Sequence, residues 1–189
     1  MNTKSRLTSQ LMFLSRQHYS LYNYSAKSNP RVFLTVSKNG SRLGDLVFEV
    51  YHNHTPKTAE NFIALATGAN ALGKSYKGTT FTTGAPGVTL QAGRITECNQ
   101  SADGGRFVDE NLSLRHIKRG QLTMANDGEN ANGSEFMITL GSSADVLDGY
   151  HTVFGELVEG EEVLSQVEAH LTRHGTFDSE IKIDECGTR

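Results

Sequence analysis

The chain has few cysteines and no long apolar run. Cys98 and Cys186 are the only cysteines in 189 residues, so a dense disulfide framework and a CxxC metal or redox pair are both excluded. No stretch approaches the roughly 20 consecutive apolar residues that cross a bilayer, so we expect no direct membrane span. With 37% hydrophobic and 21% charged residues, the composition indicates a globular protein rather than a disordered or collagen-like chain.

Acidic residues are absent from residues 1–29, which contain six serines. This leader carries four basic residues, namely Lys4, Arg6, Arg16 and Lys27. The chain's 18 Lys+Arg and 21 Asp+Glu therefore leave 14 basic and 21 acidic residues, a net charge of −7, in residues 30–189. The sequence thus divides into a short basic leader and an acidic body. An acidic body repels a phosphate backbone, so we expect no nucleic-acid partner.

The leader resembles a targeting segment. Leu7, Leu11 and Leu14 recur with helical spacing, and a basic, serine-rich, acid-free segment with such a face is typical of a mitochondrial transit peptide. The run Leu11–Leu14 is too short for the apolar core of a secretory signal. We therefore predict a mitochondrial location, on the matrix side. The leader's aromatic and leucine side chains also favour a docking arm over residues 1–29, with a functionless tail as the alternative.

The body begins with patterns of two strands and a helix. Val32–Val36 is rich in β-formers, the Asn39-Gly40 pair predicts a tight turn, and Leu46–Tyr51 alternates between apolar and polar residues. After these strands, Thr55 is predicted as an N-cap with Pro56 at the first helical position, and Gly68 ends the helix.

The remainder of the body predicts more strands and one more helix. Short apolar runs separated by Gly, Asn and Asp clusters fill Tyr76–Leu140, as expected of an antiparallel sheet or barrel. A second helix is predicted over Glu161–Leu171, and a final strand over Glu180–Asp184. No repeat or low-complexity block interrupts this pattern, so we predict one domain over residues 30–189.

Seven short motifs in order resemble those of the cyclophilins, a family of peptidyl-prolyl cis-trans isomerases. They are Thr55-Pro56-Lys57-Thr58-Ala59-Glu60-Asn61-Phe62, Leu65-Ala66-Thr67-Gly68, Tyr76-Lys77-Gly78, Asp109-Glu110-Asn111, Met124-Ala125-Asn126, Asn132-Gly133-Ser134-Glu135-Phe136, and Leu147-Asp148-Gly149 continuing through His151 to Val153-Phe154-Gly155. The similarity spans about Pro30 to Gly187. It implies a mainly β fold, an eight-stranded antiparallel barrel capped by two α-helices, and it implies no cofactor.

The chemistry of this family explains what its site needs. Twisting an X-Pro peptide bond removes amide resonance, and the uncatalysed reaction takes tens to hundreds of seconds. A fixed donor aimed at the prolyl nitrogen and an apolar pocket for the proline ring both lower that barrier. In the family the donor is an arginine, and a phenylalanine and a methionine line the pocket.

This sequence departs from the family pattern at the donor and at the pocket walls. Thr83 stands at the arginine position, Val88 and Thr89 at the phenylalanine and methionine positions, Glu135 at a glutamine, Met137 at an aromatic wall, and Val146 at a tryptophan. Losing a preorganised electrostatic donor typically lowers the rate by about 10²–10³. We therefore predict weak or no isomerase activity and assign no catalytic residue.

The resemblance still implies a peptide-binding site. Its candidate residues are Gln91, Asn126, Met137, Leu147 and His151. Arg94 lies three residues after Gln91, so strand alternation predicts that the two side chains point to opposite faces and that Arg94 faces solvent.

Three functions follow as alternatives. The leading hypothesis is a cyclophilin-like accessory or structural subunit of a larger mitochondrial protein complex. The others are an active isomerase that assists protein folding and a module that binds proline-containing peptides without isomerising them.

Two weaker patterns are interpreted as structural. Gly68–Ser75 matches the Walker A spacing, but it follows a predicted helix instead of a strand, so we interpret it as a loop. The pairs His52/His54 and His170/His174 lack an obvious third ligand, so no metal site is predicted.

Overall fold

The computed structural model describes residues 24–70, 72–95 and 99–189. The helical face predicted for the leader falls on residues 1–23, outside the described residues, as does Cys98. Within the described ranges, no helix has the length and apolarity needed to span a membrane.

The described residues form eight strands, two α-helices and one 3₁₀ helix. In chain order they are β1 Arg31–Lys38, β2 Ser41–Val50, α1 Pro56–Thr67, β3 Thr83–Ala85, β4 Thr89–Ala92, β5 Gln121–Asn126, β6 Asn132–Thr139, the 3₁₀ helix Ser142–Leu147, β7 Val153–Glu159, α2 Glu161–Glu168 and β8 Ile181–Thr188.

All eight strands belong to one antiparallel, curled sheet. Its strand order is β3-β4-β6-β5-β7-β2-β1-β8. The segment before β3 then reaches β8, because Gly78 and Phe81 donate backbone hydrogen bonds to Ile183 and Ile181 at 2.7 and 2.9 Å. These bonds bring the two edges of the sheet together. The predicted eight-stranded, two-helix architecture is confirmed.

The first hairpin forms where the sequence predicts it. Asn39 and Gly40 have φ values of 48° and 79°, the positive values that a tight two-residue hairpin turn requires. Strand β1 pairs with β2 on one side and with β8 on the other. Each strand is longer than its predicted apolar run, since ladder hydrogen bonds extend beyond the residues that fill the core.

Helix α1 begins at Pro56 and ends before Gly68, as predicted, and Gly68 adopts the left-handed conformation at φ 71°. Thr55 occupies the N-cap position, as predicted, but its side chain makes no capping hydrogen bond. The Thr55 hydroxyl donates to the Tyr51 carbonyl at 3.1 Å instead of accepting from the helix. The carboxylate of Glu110 replaces it and accepts from the backbone N–H groups of Lys57 and Thr58 at 3.0 and 2.9 Å.

Helix α2 is shorter than the predicted Glu161–Leu171. It ends at Glu168, and Leu171 instead forms an isolated β-bridge with Phe177. The His170 ring bonds the Asp178 carboxylate at 2.9 Å across this turn. Tertiary contacts with the segment that holds Phe177 and Asp178 therefore end the helix. The final strand, predicted over Glu180–Asp184, extends further, to Thr188.

The interior of the curled sheet holds the core, into which α1 packs an aromatic residue. The Phe62 ring lies 5.1–5.2 Å, centroid to centroid, from the rings of Tyr76, Phe136 and Phe154. All four side chains are fully buried. This cluster ties α1 to strands β6 and β7, which lie next to the candidate site.

The segment just before β1 also contacts the barrel. The Tyr24 ring packs edge-on against those of Tyr51 and His54, each at 5.6 Å. The buried carboxylate of Glu49 accepts hydrogen bonds from the Ser25 hydroxyl, the Ala26 backbone N–H and the Asn29 amide at 2.8–2.9 Å. Residues 24–29 therefore lie against β2.

Candidate peptide-binding face

The outer face of the sheet carries a row of four side chains on adjacent strands. Thr83 pairs with Gln91, Gln91 with Met137, and Met137 with Thr123. Directly opposite residues of antiparallel strands share a face. Their neighbours Leu90, Ile138 and Leu122 point the other way and are fully buried in the core. Strand register therefore places three of the predicted site positions side by side.

Thr83, at the family's arginine position, is engaged by another part of the chain. Its hydroxyl donates a 2.7 Å hydrogen bond to the backbone carbonyl of Gly175, which also accepts from the Gly84 N–H at 3.0 Å. The hydroxyl has a single hydrogen, so this bond uses its only donor. The position supplies neither a positive charge nor a free donor to the face. Sequence patterns carried no signal for Gly175, which lies 92 residues away.

Gln91 and Arg94 converge on one buried carboxylate. The Gln91 amide donates to Glu135 Oε2 at 2.5 Å, and Arg94 Nε lies 2.9 Å from Glu135 Oε1. The Glu135 side chain is 2% exposed, whereas that of Arg94 is 48% exposed. Glu135 lies diagonally across from Gln91 on the same face, within reach of a long side chain.

Arg94 is exposed to solvent, as predicted, but the prediction that it points to the face opposite Gln91 is wrong. Strand β4 ends at Ala92, and Gly93 turns the chain at φ 85°. A side chain at Gly93 would contact the Phe136 ring and the Ser134 carbonyl at 2.7–2.8 Å. The turn breaks the two-residue period, so Arg94 comes back to the face that holds Gln91. Strand alternation applies only while the chain remains extended.

The remaining wall positions are aliphatic or polar. Met137 is nearly buried, and Thr89 pairs with Thr139 on the face that carries Gln91. Val146, at the family's tryptophan position, is 69% exposed at the end of the 3₁₀ helix. A valine covers less apolar area than an aromatic ring, so these walls give a proline ring less contact than the family pattern does.

Asn126, Leu147 and His151 form a second group where β5 meets the loop before β7. The Asn126 amide donates to the Tyr150 carbonyl at 2.9 Å. The His151 ring bonds the Met124 carbonyl through Nδ1 at 2.9 Å. The backbone N–H groups of Tyr150 and His151 donate to the Leu147 carbonyl at 3.1 and 3.2 Å. A cavity of about 470 Å³ opens beside Asn126 and His151.

Beneath this loop, Asp148 is held by a buried histidine. Its carboxylate accepts from the His116 backbone N–H at 2.7 Å and bonds the His116 ring at 2.8 Å, and Arg115 pairs with its other oxygen at 2.8 Å. Burial opposes ionisation, but these bonds outweigh it and lower the Asp148 pKa. The His116 pKa is lowered mainly by burial. The network fixes the loop that carries Leu147 and His151.

The weaker sequence patterns have structural roles. Gly68–Ser75 follows helix α1, as predicted, and the Lys74 ammonium donates to the Gln100 side chain and the Ser101 carbonyl at 3.0 and 3.3 Å. His52 and His54 lie in a turn rather than on a strand face, and His170 lies beyond α2. Among the residues that the structure describes, no group of three or more potential ligands could hold a metal ion.

The face carries hydrogen-bonding side chains and the apolar Met137, and it has no cation at Thr83. Contact of a peptide with Gln91, Asn126, Met137, Leu147 and His151 stays a prediction.

A family model described as cyclophilin type peptidyl-prolyl cis-trans isomerase/CLD matches residues 33–188. The match covers all eight strands except the first two residues of β1, and both helices. The fold, the motif order and this match agree, and the chain therefore belongs to the cyclophilin-type peptidyl-prolyl cis-trans isomerase family.

Proposed function

We propose that this cyclophilin binds proline-containing segments of partner proteins and isomerises them weakly or not at all. The observation that carries the proposal is the bond from the Thr83 hydroxyl to the Gly175 carbonyl. A donor that stabilises the prolyl nitrogen must be free and preferably charged. Thr83 is uncharged, and its hydrogen is already donated within the protein.

The decisive experiment restores a cation at this position. Thr83→Arg removes the bond to Gly175 and adds a guanidinium at an exposed strand position. We expect kcat/KM for a proline tetrapeptide to rise by about 10²-fold, the usual value of one preorganised donor. The measurement is a protease-coupled or NMR-exchange isomerisation assay on the full chain.

Thr82→Arg is the matched control, because it adds the same charge one residue away at another exposed position. We expect its rate to stay at the wild-type level. A wild-type rate equal to that of a fully active cyclophilin would contradict the proposal. So would a Thr83→Arg rate that does not exceed the Thr82→Arg rate.

A second candidate function, a working isomerase, is favoured by the position of Arg94. Its guanidinium reaches the carboxylate that bonds Gln91, and Gln91 lies directly opposite Thr83. Arg94 then replaces the missing cation from the other end of β4. In this case wild-type activity is high, and Arg94→Gln lowers kcat/KM by about 10²-fold with little change in peptide affinity.

We further propose that the protein works as an accessory or structural subunit of a larger mitochondrial assembly, on the matrix side. The acid-free basic leader supports the location, and the altered site supports a binding role over turnover. Cell fractionation tests the first point. Native electrophoresis of mitochondrial extracts tests the second: we expect a high-mass band, and a lone monomer would contradict the subunit role.

A further inference from the structure

The cavity beside Asn126 and His151 presents hydrogen-bond acceptors. It is lined by Asp109, Leu112, Asn126, Glu129, Tyr150 and His151, together with two glycines. It shares Asn126 and His151 with the proposed peptide-binding face, but none of Thr83, Gln91, Met137 and Thr123 lines it. The group that this cavity binds can therefore be considered separately from the proline pocket.

The acceptor character follows from the bonds that the lining side chains already make. The Asn126 amide nitrogen donates one of its two hydrogens to the Tyr150 carbonyl at 2.9 Å, while its oxygen accepts only a 3.4 Å contact from the Gly128 N–H. His151 Nδ1 must donate to the Met124 carbonyl, because a carbonyl only accepts. In the neutral ring, Nε2 is then an acceptor.

Two carboxylates add negative charge to the same lining. Asp109 accepts from the Asn130 N–H and the Asn132 amide, each at 2.8 Å, and a carboxylate keeps further lone pairs beyond two such bonds. Glu129 is exposed at the rim. In the described part of the chain, neither carboxylate forms an ion pair, whereas the neighbouring Asp127 and Asp148 are paired with Arg106 and Arg115.

The rim also carries an exposed aromatic ring. Tyr150 is 72% exposed, while its backbone is fixed by bonds to Leu147 and Asn126. An aromatic face beside two carboxylates suits a guanidinium, which stacks on rings and donates five hydrogen bonds without accepting any. An anionic group would instead be repelled by the two carboxylates.

We propose that this cavity binds an arginine side chain of the partner protein, carried on the same segment that presents proline to the adjoining face. The negative charge of the lining, its exposed aromatic ring and its continuity with Asn126 and His151 support this occupant. The inference rests on the proposed peptide-binding function and adds a specificity: arginine near proline. The net charge of −7 on residues 30–189 also favours a basic partner.

The test compares arginine with citrulline, which has nearly the same shape but no charge. Full-chain protein is titrated with N-acetylarginine methylamide and N-acetylcitrulline methylamide, followed by NMR shifts of Tyr150 and His151. It is then titrated with a proline peptide that carries either residue at successive positions. We expect arginine to bind about fivefold more tightly at low salt, as for a partly exposed charge pair, and the preference to shrink at high salt.

Variants locate the effect. Glu129→Gln and Tyr150→Ala should each bring the arginine-to-citrulline ratio towards one. Glu162→Gln is the matched control, since Glu162 is exposed on α2 and does not line the cavity. Equal affinity for arginine and citrulline would overturn the inference, as would a preference that Glu129→Gln and Glu162→Gln change equally.

Two further results distinguish failure of this inference from failure of the proposed function on which it rests. Tight binding of proline peptides without any arginine preference would overturn the inference alone, whereas arginine binding without proline-peptide binding would overturn the proposed function and leave the cavity assignment supported. The leader is the competing occupant, because it carries Lys4, Arg6 and Arg16. If replacing these three with Gln in the full chain raises arginine affinity severalfold, the assignment to a partner protein is wrong.

Discussion

At the scale of single residues, His116 shows how burial sets a protonation state. Its side chain is fully buried between the Asp148 carboxylate and the Thr123 hydroxyl, 2.8 and 3.0 Å from the two ring nitrogens. A carboxylate only accepts, so Nδ1 donates to Asp148. The single hydrogen of the Thr123 hydroxyl faces two acceptors when the ring is neutral, Nε2 of His116 at 3.0 Å and the Thr152 carbonyl at 3.2 Å. Burial favours this neutral ring and lowers the His116 pKa, although Asp148 acts in the opposite direction.

This lowered pKa predicts a pH-dependent stability. Below about pH 6.5 the unfolded chain takes up a proton on His116 that the folded protein resists. The free energy of unfolding should therefore fall as pH drops from 7 to 5.5, with a His116 contribution of up to about 1 kcal/mol. Urea unfolding at each pH measures it.

His116→Gln is the comparison, since glutamine cannot titrate in this range. The variant should be less stable than the wild type at pH 7, and the difference should narrow at pH 5.5. A difference that stays constant or widens would contradict the assigned neutral state.

At the scale of elements, helix α1 depends on a residue far away in sequence. Its first turn lacks an acidic residue and a local side-chain cap. Glu110, 52 residues beyond Thr58, supplies the carboxylate and also accepts from the Thr58 hydroxyl at 2.9 Å. A carboxylate at a helix N-terminus satisfies free N–H groups and interacts favourably with the helix dipole. The loop that carries Glu110 is thereby fixed to α1.

Glu110→Ala should lower the free energy of unfolding by about 1–2 kcal/mol, the usual value of an N-terminal cap. Glu110→Gln should lose less, because the amide oxygen still accepts one of the N–H bonds. Chemical denaturation measures the stability of both Glu110 variants. The control is Glu180→Ala, because Glu180 is exposed and lies outside the helices. Equal stability of Glu110→Ala and Glu180→Ala would contradict the capping role.

At the scale of the whole molecule, Glu49 joins residues 24–29 to the barrel. Burial alone would raise its pKa, but hydrogen bonds from Asn29, Ala26 and Ser25 outweigh burial and lower the Glu49 pKa. A lowered carboxyl pKa stabilises the fold above about pH 4.5, and the stabilisation is lost as pH falls through the folded-state pKa. The contact therefore weakens in acid.

Glu49→Gln removes the charge and should lower the free energy of unfolding at pH 7 by about 1–2 kcal/mol, as for hydrogen bonds to a charged group. Trypsin should also cleave faster after Lys27, which is exposed between Ala26 and Asn29. Glu180→Gln should leave both unchanged. Unaltered cleavage after Lys27 in Glu49→Gln would show that the three bonds do not hold the segment.

Across these scales, short-range patterns predicted the elements well. The Asn39-Gly40 turn, the bounds of α1 and the β-rich run of β1 depend on neighbours within a few residues, so the sequence alone determined them. The alternation predicted over Leu46–Tyr51 is absent from its burial, since all six residues are buried. It also determined the family and the chemical identity of the altered positions, since Thr83 carries no charge in any fold.

The tertiary structure alone decided what those residues contact. Gly175 accepts from Thr83 across 92 residues, Glu110 caps α1 across 52, and Gly93 turns Arg94 onto the carboxylate of Glu135. Sequence patterns over a few residues do not predict these contacts, because the contacts form only when the sheet curls and brings its loops together. The sequence by itself showed that the family's cation is absent from position 83. Only the fold decided that the remaining hydroxyl is occupied and that another arginine lies nearby.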